Sequence, residues 1–225
     1  MRTGYKLLSD SRGSYYTCAV KDKGNVNAPP IVRSLFIVFM VVAAIWRIWD
    51  FRKQGQDRGP VSMLWSLYAL VVLGGIVFCG TIFEFFFVAR PFHPAVALLG
   101  AVLLIAAGAI RMTAIRTLGR FWSLHIEIRD GQRLVREGIY RYVRHPAYSS
   151  FVLEIIAIPL VGNAWWSLAV AVAGYLPLLV WRLKREEVAL CAKFGDQYRA
   201  YQRDVGALWP RLPAARATDA PARNG

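Results

Sequence analysis

Charged residues fall in blocks along this chain, and the gaps between the blocks are long and apolar. Val61 to Phe83 is 23 residues without a charge, Pro91 to Ile110 is 20, and Ile155 to Trp181 is 27. A shorter run, Ser34 to Trp46, is bracketed by Arg33 and Arg47, whose stems can snorkel so that their charges reach water. Runs of this length read as bilayer-buried helices. The last gap holds a turn signal, Val161-Gly162-Asn163, so Ala147 to Trp181 reads as a tight helical hairpin. Its 35 residues give each leg only about 26 Å at ~1.5 Å per residue, short of a ~30 Å hydrocarbon core. One leg is therefore expected to tilt or to stop short of a full crossing. The pattern predicts an all-α integral membrane fold with about five transmembrane helices, the last two forming the hairpin.

The ends of the chain lack this pattern. Residues 1–30 are polar, with S-D-S-R-G-S-Y-Y-T and no secretory signal, and are expected to be a tail without a fold of its own. Residues 31–110 carry three transmembrane helices, residues 111–212 form a single region containing the hairpin, and residues 213–225 are expected to be a disordered tail.

Composition agrees with a multi-span protein: 225 residues, 56% hydrophobic and 19% charged. The net charge of +14, from 28 Lys and Arg against 14 Asp and Glu, raises a nucleic-acid reading. Position argues against it. Eight arginines lie from Arg111 to Arg144 and nine basic residues follow Trp181, both next to apolar runs, where positive charge marks the cytoplasmic side and attracts anionic lipid. The partners expected are membrane lipids, not nucleic acid. This places the Arg111–Arg144 loop and the C-terminus in the cytoplasm and the hairpin tip outside. An odd number of crossings then leaves the N-terminus outside, although it carries Arg2, Lys6, Arg12, Lys21 and Lys23. Cys18, Cys79 and Cys191 have no metal or disulfide spacing, and no metal is expected.

The polar chemistry gathers at the mouths of the hairpin. There is no G-x-G-x-x-G, P-loop, H-E-x-x-H or G-x-S-x-G, so a nucleotide-like ligand would need a non-Rossmann site. Asp130-Gly131 sits between the alternating runs Leu124–Ile128 and Leu134–Ile139, which predicts a small hairpin-like loop, and Gly138 predicts a further bend. Pro146 suits the first turn of a helix, whose free amides and positive dipole end favour a carboxylate. His145 is read either as a satisfied structural histidine or as part of that site. Arg182 and Glu186 share one helical face; they form either an i,i+4 ion pair or a pair of ligand contacts. Cys191, Phe194, Tyr198, Tyr201 and Val205 make an apolar stripe, read as the packing face of an amphipathic helix. Glu84 and Glu154 lie inside apolar runs, where an ionisable group is costly; Glu84 either reaches the interface or is functional, and Glu154 is read either as structural or as lining a cavity.

The ordered blocks L-G-R-F-W, Q-R-L-V-x-x-G-I-Y, R-Y-V-R-H-P-A-Y, R-x-x-x-E-E-x-x-L and F-G-x-x-Y-x-x-Y closely resemble the isoprenylcysteine carboxyl methyltransferase family over about residues 110–210. These are integral membrane enzymes that use S-adenosylmethionine. The resemblance implies a cofactor between the cytoplasmic loop, the hairpin ends and the C-terminal amphipathic helix, in a non-Rossmann site. Gln132, Arg133, Leu134 and Val135 match a strip that contacts the cofactor largely through backbone, with Gln132 standing where the family usually has histidine. Tyr140, His145, Pro146, Ala147 and Tyr148 match further contacts, His125 corresponds to an upstream polar contact, and Glu186 would meet the cofactor's positive end. Arg182 matches the arginine assigned to the substrate.

The resemblance implies carboxyl O-methylation of a lipophilic, isoprenylcysteine-like acid that enters from the bilayer. A carboxylate is already ionised, so it needs a cation to hold it and no general base, and neither route calls for a metal. N-methylation of a phospholipid amine and S-methylation of a small thiol are the alternatives; an amine would need a base, for which Glu154 or Glu186 would serve. A membrane scaffold whose basic loops bind anionic lipid is the non-enzymatic alternative.

Overall fold

The computed structural model describes residues 3–9, 15–21, 28–52, 61–62, 64–119, 126–127 and 134–211 of the chain. Five apolar helical segments dominate it. Helix α1 spans Pro30–Arg52, α2 Leu64–Phe87, α3 Pro94–Leu118 and α4 Pro146–Val161. The fifth runs from Trp165 to Phe194 without a break, as α5 (Trp165–Val170), a π turn (Ala171–Tyr175) and α6 (Leu176–Phe194). The π turn has a local cause: Pro177 has no amide hydrogen and its ring would clash with the carbonyl four residues back, at Ala173, so the helix widens there. A short α7 (Asp196–Asp204) follows a break at Gly195, whose φ of +54° suits glycine.

By length and composition, α2, α3 and the 30-residue helix can each cross a membrane. The apolar part of α1, Pro30–Ile45, and α4 are shorter. At ~1.5 Å per residue the 16 residues of α4 reach about 24 Å, so α4 is the short leg of the expected hairpin. The hairpin turns where the sequence placed it, at Gly162-Asn163, with Asn163 at φ +53°. Asn163 Oδ1 accepts the backbone N–H of His93 at 2.8 Å, tying the tip to the start of α3.

Three expectations are corrected. The first thirty residues are not a foldless tail: β1 (Thr3–Ser9) pairs antiparallel with β2 (Tyr15–Lys21), from Thr3 opposite Lys21 to Ser9 opposite Tyr15. Tyr, Thr and Val favour strands, and D-S-R-G-S between them is turn chemistry that overall polarity concealed. Ile126–Glu127 (β4) does not fold back on Leu134–Ile139; it pairs antiparallel with Val61–Ser62 (β3), joining two different loops, while a 3-10 turn, Gly138–Arg141, begins at the expected bend. Residues 111–118 are not loop but the last turns of α3. The expected tail at 213–225 lies outside the described residues.

The core lies between α2 and the hairpin. Leu70 and Val77 of α2, Tyr148 and Ile155 of α4, and Ala171, Tyr175, Leu179 and Leu183 form one buried cluster. Phe36 and Met40 of α1 pack with Ile158 in a second. Helices α3 and α4 approach closely at Gly100, where a Cβ would stand 2.7 Å from the Val161 nitrogen.

The two carboxylates inside apolar runs both have protein partners. Glu84 on α2 is buried and caps the start of α5, accepting the Trp166 and Ser167 amides at 3.1 and 2.6 Å and the Ser167 hydroxyl at 2.6 Å. Arg90 approaches it at 3.3 Å. Glu154 on α4 pairs with Arg111 on α3, whose Nε also donates to Ser150 at 3.2 Å and whose guanidinium lies over the Phe151 ring. A buried charge is tolerable when paired and hydrogen-bonded in this way.

Candidate functional site

The site is assembled where the 3-10 turn, the start of α4, the polar end of α6 and α7 meet. His145 precedes Pro146, so it closes an extended segment and opens α4, whose N-terminus has no side-chain cap. The extended segment is held from behind by the residues after α7: Val143 bridges Gly206 in parallel, and the Arg144 and His145 amides donate to the Gly206 and Ala207 carbonyls, each at 2.9 Å. Ser149 adds a hydroxyl bond to the Leu208 carbonyl. The chain beyond α7 is thus a strap that fixes His145.

Helix α6 leaves the apolar core at Trp181 and presents its charged residues in sequence. Glu186 accepts the Tyr148 hydroxyl at 2.6 Å, and its Oε1 is 3.9 Å from His145 Nδ1. Glu187 binds Arg144 at 2.6 Å and lies 3.4 Å from His145 Nε2, which is also 3.2 Å from the Tyr198 hydroxyl. Arg182 is only 2% exposed; its Nη1 donates to Ser66 on α2 at 2.6 Å, and its charge also faces the Tyr148 hydroxyl. Trp65, next to Ser66, packs on Trp181, next to Arg182, with ring centroids 5.0 Å apart.

Burial keeps the surrounding phenols neutral. Desolvation pushes Tyr201 up to about 12, against the lowering pull of Arg144 and Arg136. Tyr140 and Tyr198 are raised from the ordinary phenol value, by burial first and then by nearby glutamates. Each therefore stays an O–H donor at neutral pH; Tyr201 donates to the Tyr140 carbonyl and so locks α7 to the 3-10 turn.

Of the residues singled out in the sequence, the structure brings His145, Tyr148, Glu186 and Arg182 together through direct contacts with one another or with shared neighbours. Pro146 is buried and Ala147 half-buried at the start of α4, Tyr140 is buried behind them, and Leu134 and Val135 are half-buried ahead of the 3-10 turn. His125, Gln132 and Arg133 lie outside the described residues. Sequence reasoning missed four residues that frame the site: Arg144, Glu187, Tyr198 and Tyr201. The E-E pair and the F-G-x-x-Y-x-x-Y block are the available signals, but in the sequence the tyrosines read as a packing stripe and a block of the resemblance, with no site role of their own. Among the described residues, no group of three His, Cys, Asp or Glu is placed to hold a metal ion.

Residues 98–192 match the model of the isoprenylcysteine carboxyl methyltransferase (ICMT) family. Protein-S-isoprenylcysteine O-methyltransferase B of Arabidopsis thaliana is 34% identical over 114 residues, covering 47% of this chain and 55% of that protein. Methanethiol S-methyltransferase of Mycobacterium tuberculosis is 39% identical over 72 residues, 32% of this chain and 28% of that protein. The uncharacterized protein YpbQ of Bacillus subtilis is 31% identical over 90 residues, 40% of this chain and 54% of that protein. This chain thus spans between about a quarter and about half the length of these relatives. A solved structure of a eukaryotic intramembrane Ras methyltransferase, ICMT, aligns at 24% identity and a TM-score of 0.49, covering 67% of this chain and 54% of that chain. The matched stretch runs from α3 through the hairpin into the charged end of α6, and over it the chain is similar to the isoprenylcysteine carboxyl methyltransferase family.

Proposed function

We propose that this chain is an S-adenosylmethionine-dependent membrane methyltransferase acting on a lipophilic, isoprenylcysteine-like acid. In this reading its five apolar helices cross the bilayer, its site faces the cytoplasm, and its acceptor enters from the lipid. The observation that carries the reading is the Tyr148–Glu186 bond beside the uncapped start of α4, one helical turn from Arg182.

The residues present fit such a cofactor. The uncapped N-terminus of α4 suits a carboxylate. Glu186 is 27% exposed and supplies negative charge for an ammonium or sulfonium group. Tyr148 orients Glu186, and the strap through Gly206 and Ala207 holds His145 against it. His125, Gln132, Arg133, Leu134, Val135, Tyr140, Pro146 and Ala147 complete the proposed cofactor contacts. When bound, S-adenosylmethionine supplies a methyl group on a positively charged sulfur, which keeps the bonding electron pair as the acceptor oxygen bonds the carbon. Arg182 holds the acceptor carboxylate, and its surroundings exclude water, so alignment and desolvation supply the acceleration.

A second reading, S-methylation of a small thiol, is favoured by the 39% and 37% identities to methanethiol S-methyltransferases of Mycobacterium tuberculosis and Bradyrhizobium diazoefficiens. A thiol must lose its proton, and Glu186 is the carboxylate placed to take it. Calorimetric titration of the purified protein with S-adenosylmethionine tests both: saturable one-site binding is expected, and folded protein that takes up none refutes them together. Radiolabelled methyl transfer to N-acetyl-S-farnesylcysteine against 1-octanethiol then separates them.

A further inference from the structure

Ser66 lies on α2, outside the stretch that matches the family, and is fully buried. It meets Arg182 across 116 positions of sequence, accepting from Nη1 at 2.6 Å. A serine hydroxyl offers an acceptor oxygen without a charge, so it orients a guanidinium without neutralising it. The neighbouring Trp65–Trp181 contact fixes the same register, so two successive residues of α2 grip two successive residues of the hairpin's second leg. Tyr148 of α4 interacts with both Arg182 and Glu186. Arg182 is therefore aimed from two helices: α4, which the family match covers, and α2, which it does not.

We propose that Ser66 is the positioning residue that presents Arg182 to an anionic acceptor, making α2 a determinant of acceptor class, namely a lipophilic carboxylate. This rests on the reading of Arg182 as the acceptor-holding residue. The bland alternative is that Ser66 is a small residue tolerated at a helix–helix contact, and it makes a different prediction.

The test is equilibrium binding of N-acetyl-S-farnesylcysteine to the full chain in nanodiscs, with S-adenosylmethionine titrated separately. Ser66→Ala is expected to weaken the carboxylate about two- to tenfold, the range for one typical hydrogen bond lost behind the residue that touches the ligand. Affinity for S-adenosylmethionine should stay within twofold, and Ser66→Thr, which keeps the hydroxyl, should restore the carboxylate. If Ser66→Ala does not fold, Ser66→Cys keeps the volume while accepting poorly and carries the same expectation. Wild-type affinity in the Ala or Cys variant overturns the proposal, as does equal weakening of both ligands without rescue by Thr. Failure of the wild type to bind the carboxylate also overturns it. Failure of the wild type to bind S-adenosylmethionine sinks the methyltransferase reading alone, because the carboxylate titration still decides the role of Ser66.

Discussion

At the scale of single residues, the site depends on which groups carry charge and which stay neutral. Glu186→Gln keeps an acceptor for Tyr148 but removes the negative charge. Affinity for S-adenosylmethionine should fall about 10- to 100-fold, as for the loss of a charge-assisted contact, with the melting temperature nearly unchanged; calorimetry and a thermal melt read the two. Tyr201 gives a pH signature. Its folded value is raised to about 12, so its contribution is fully present below the ordinary phenol value near 10 and is lost as pH climbs from about 10 to 12. Tyr201→Phe should cost about 1 kcal/mol at pH 8, by losing the bond to the Tyr140 carbonyl, and should flatten the alkaline fall in stability. The spacing of Arg182 and Glu186 was legible in the sequence because both lie one helical turn apart on a recognisable motif. Ser66 was not, because nothing local to S-L-Y-A-L marks a serine that meets an arginine 116 residues away.

At the scale of elements, the helices were visible as charge gaps, but what pins them together was not. Arg111 counts among the cytoplasmic arginines in the sequence, yet it sits on α3 at 2% exposure and pairs with Glu154 on α4. Helix continuation past an arginine leaves no mark in a charge count, so the pairing was illegible. Arg111→Met removes that carboxylate's ion-pair partner on α3 and should cost about 3–5 kcal/mol, whereas Arg111→Met with Glu154→Leu should recover most of it, as thermal unfolding of the two variants would show. Glu84 is visibly costly in the sequence, but its partners, the first amides of α5, lie more than eighty residues on. Glu84→Gln keeps the shape and removes the charge at a helix N-terminus, so a loss of about 1 kcal/mol, or a melting shift of about 2–4 °C, is expected. The N-terminal hairpin was illegible for another reason: T-G-Y-K-L-L-S and Y-Y-T-C-A-V-K show no period-two alternation, so only the turn residues between them mark a hairpin.

At the scale of the molecule, the arginine-rich loops predict which end of the bundle meets the cytoplasm. In a background without other cysteines, Trp165→Cys beside the hairpin tip should react with a membrane-impermeant maleimide on intact cells. Arg199→Cys on α7 should react only after permeabilisation, and the reverse pattern would invert the topology. The overall class was legible because a bilayer imposes length and polarity rules that survive in one dimension. The strap after α7 was not, since V-G-A-L carries no mark of a strand that will lie beside Val143 and His145.

Helix α2 holds the hairpin's second leg at both ends, through Glu84 near its start and Ser66 near its exit. The stretch that matches the family model is therefore not a portable cassette. Grafting residues 98–201 onto another set of leading helices would transplant every recognisable motif yet leave Arg182 without its α2 contact, so a chimera keeping Ser66, Trp65 and Glu84 at matching depths should fare better than one that keeps only the motifs.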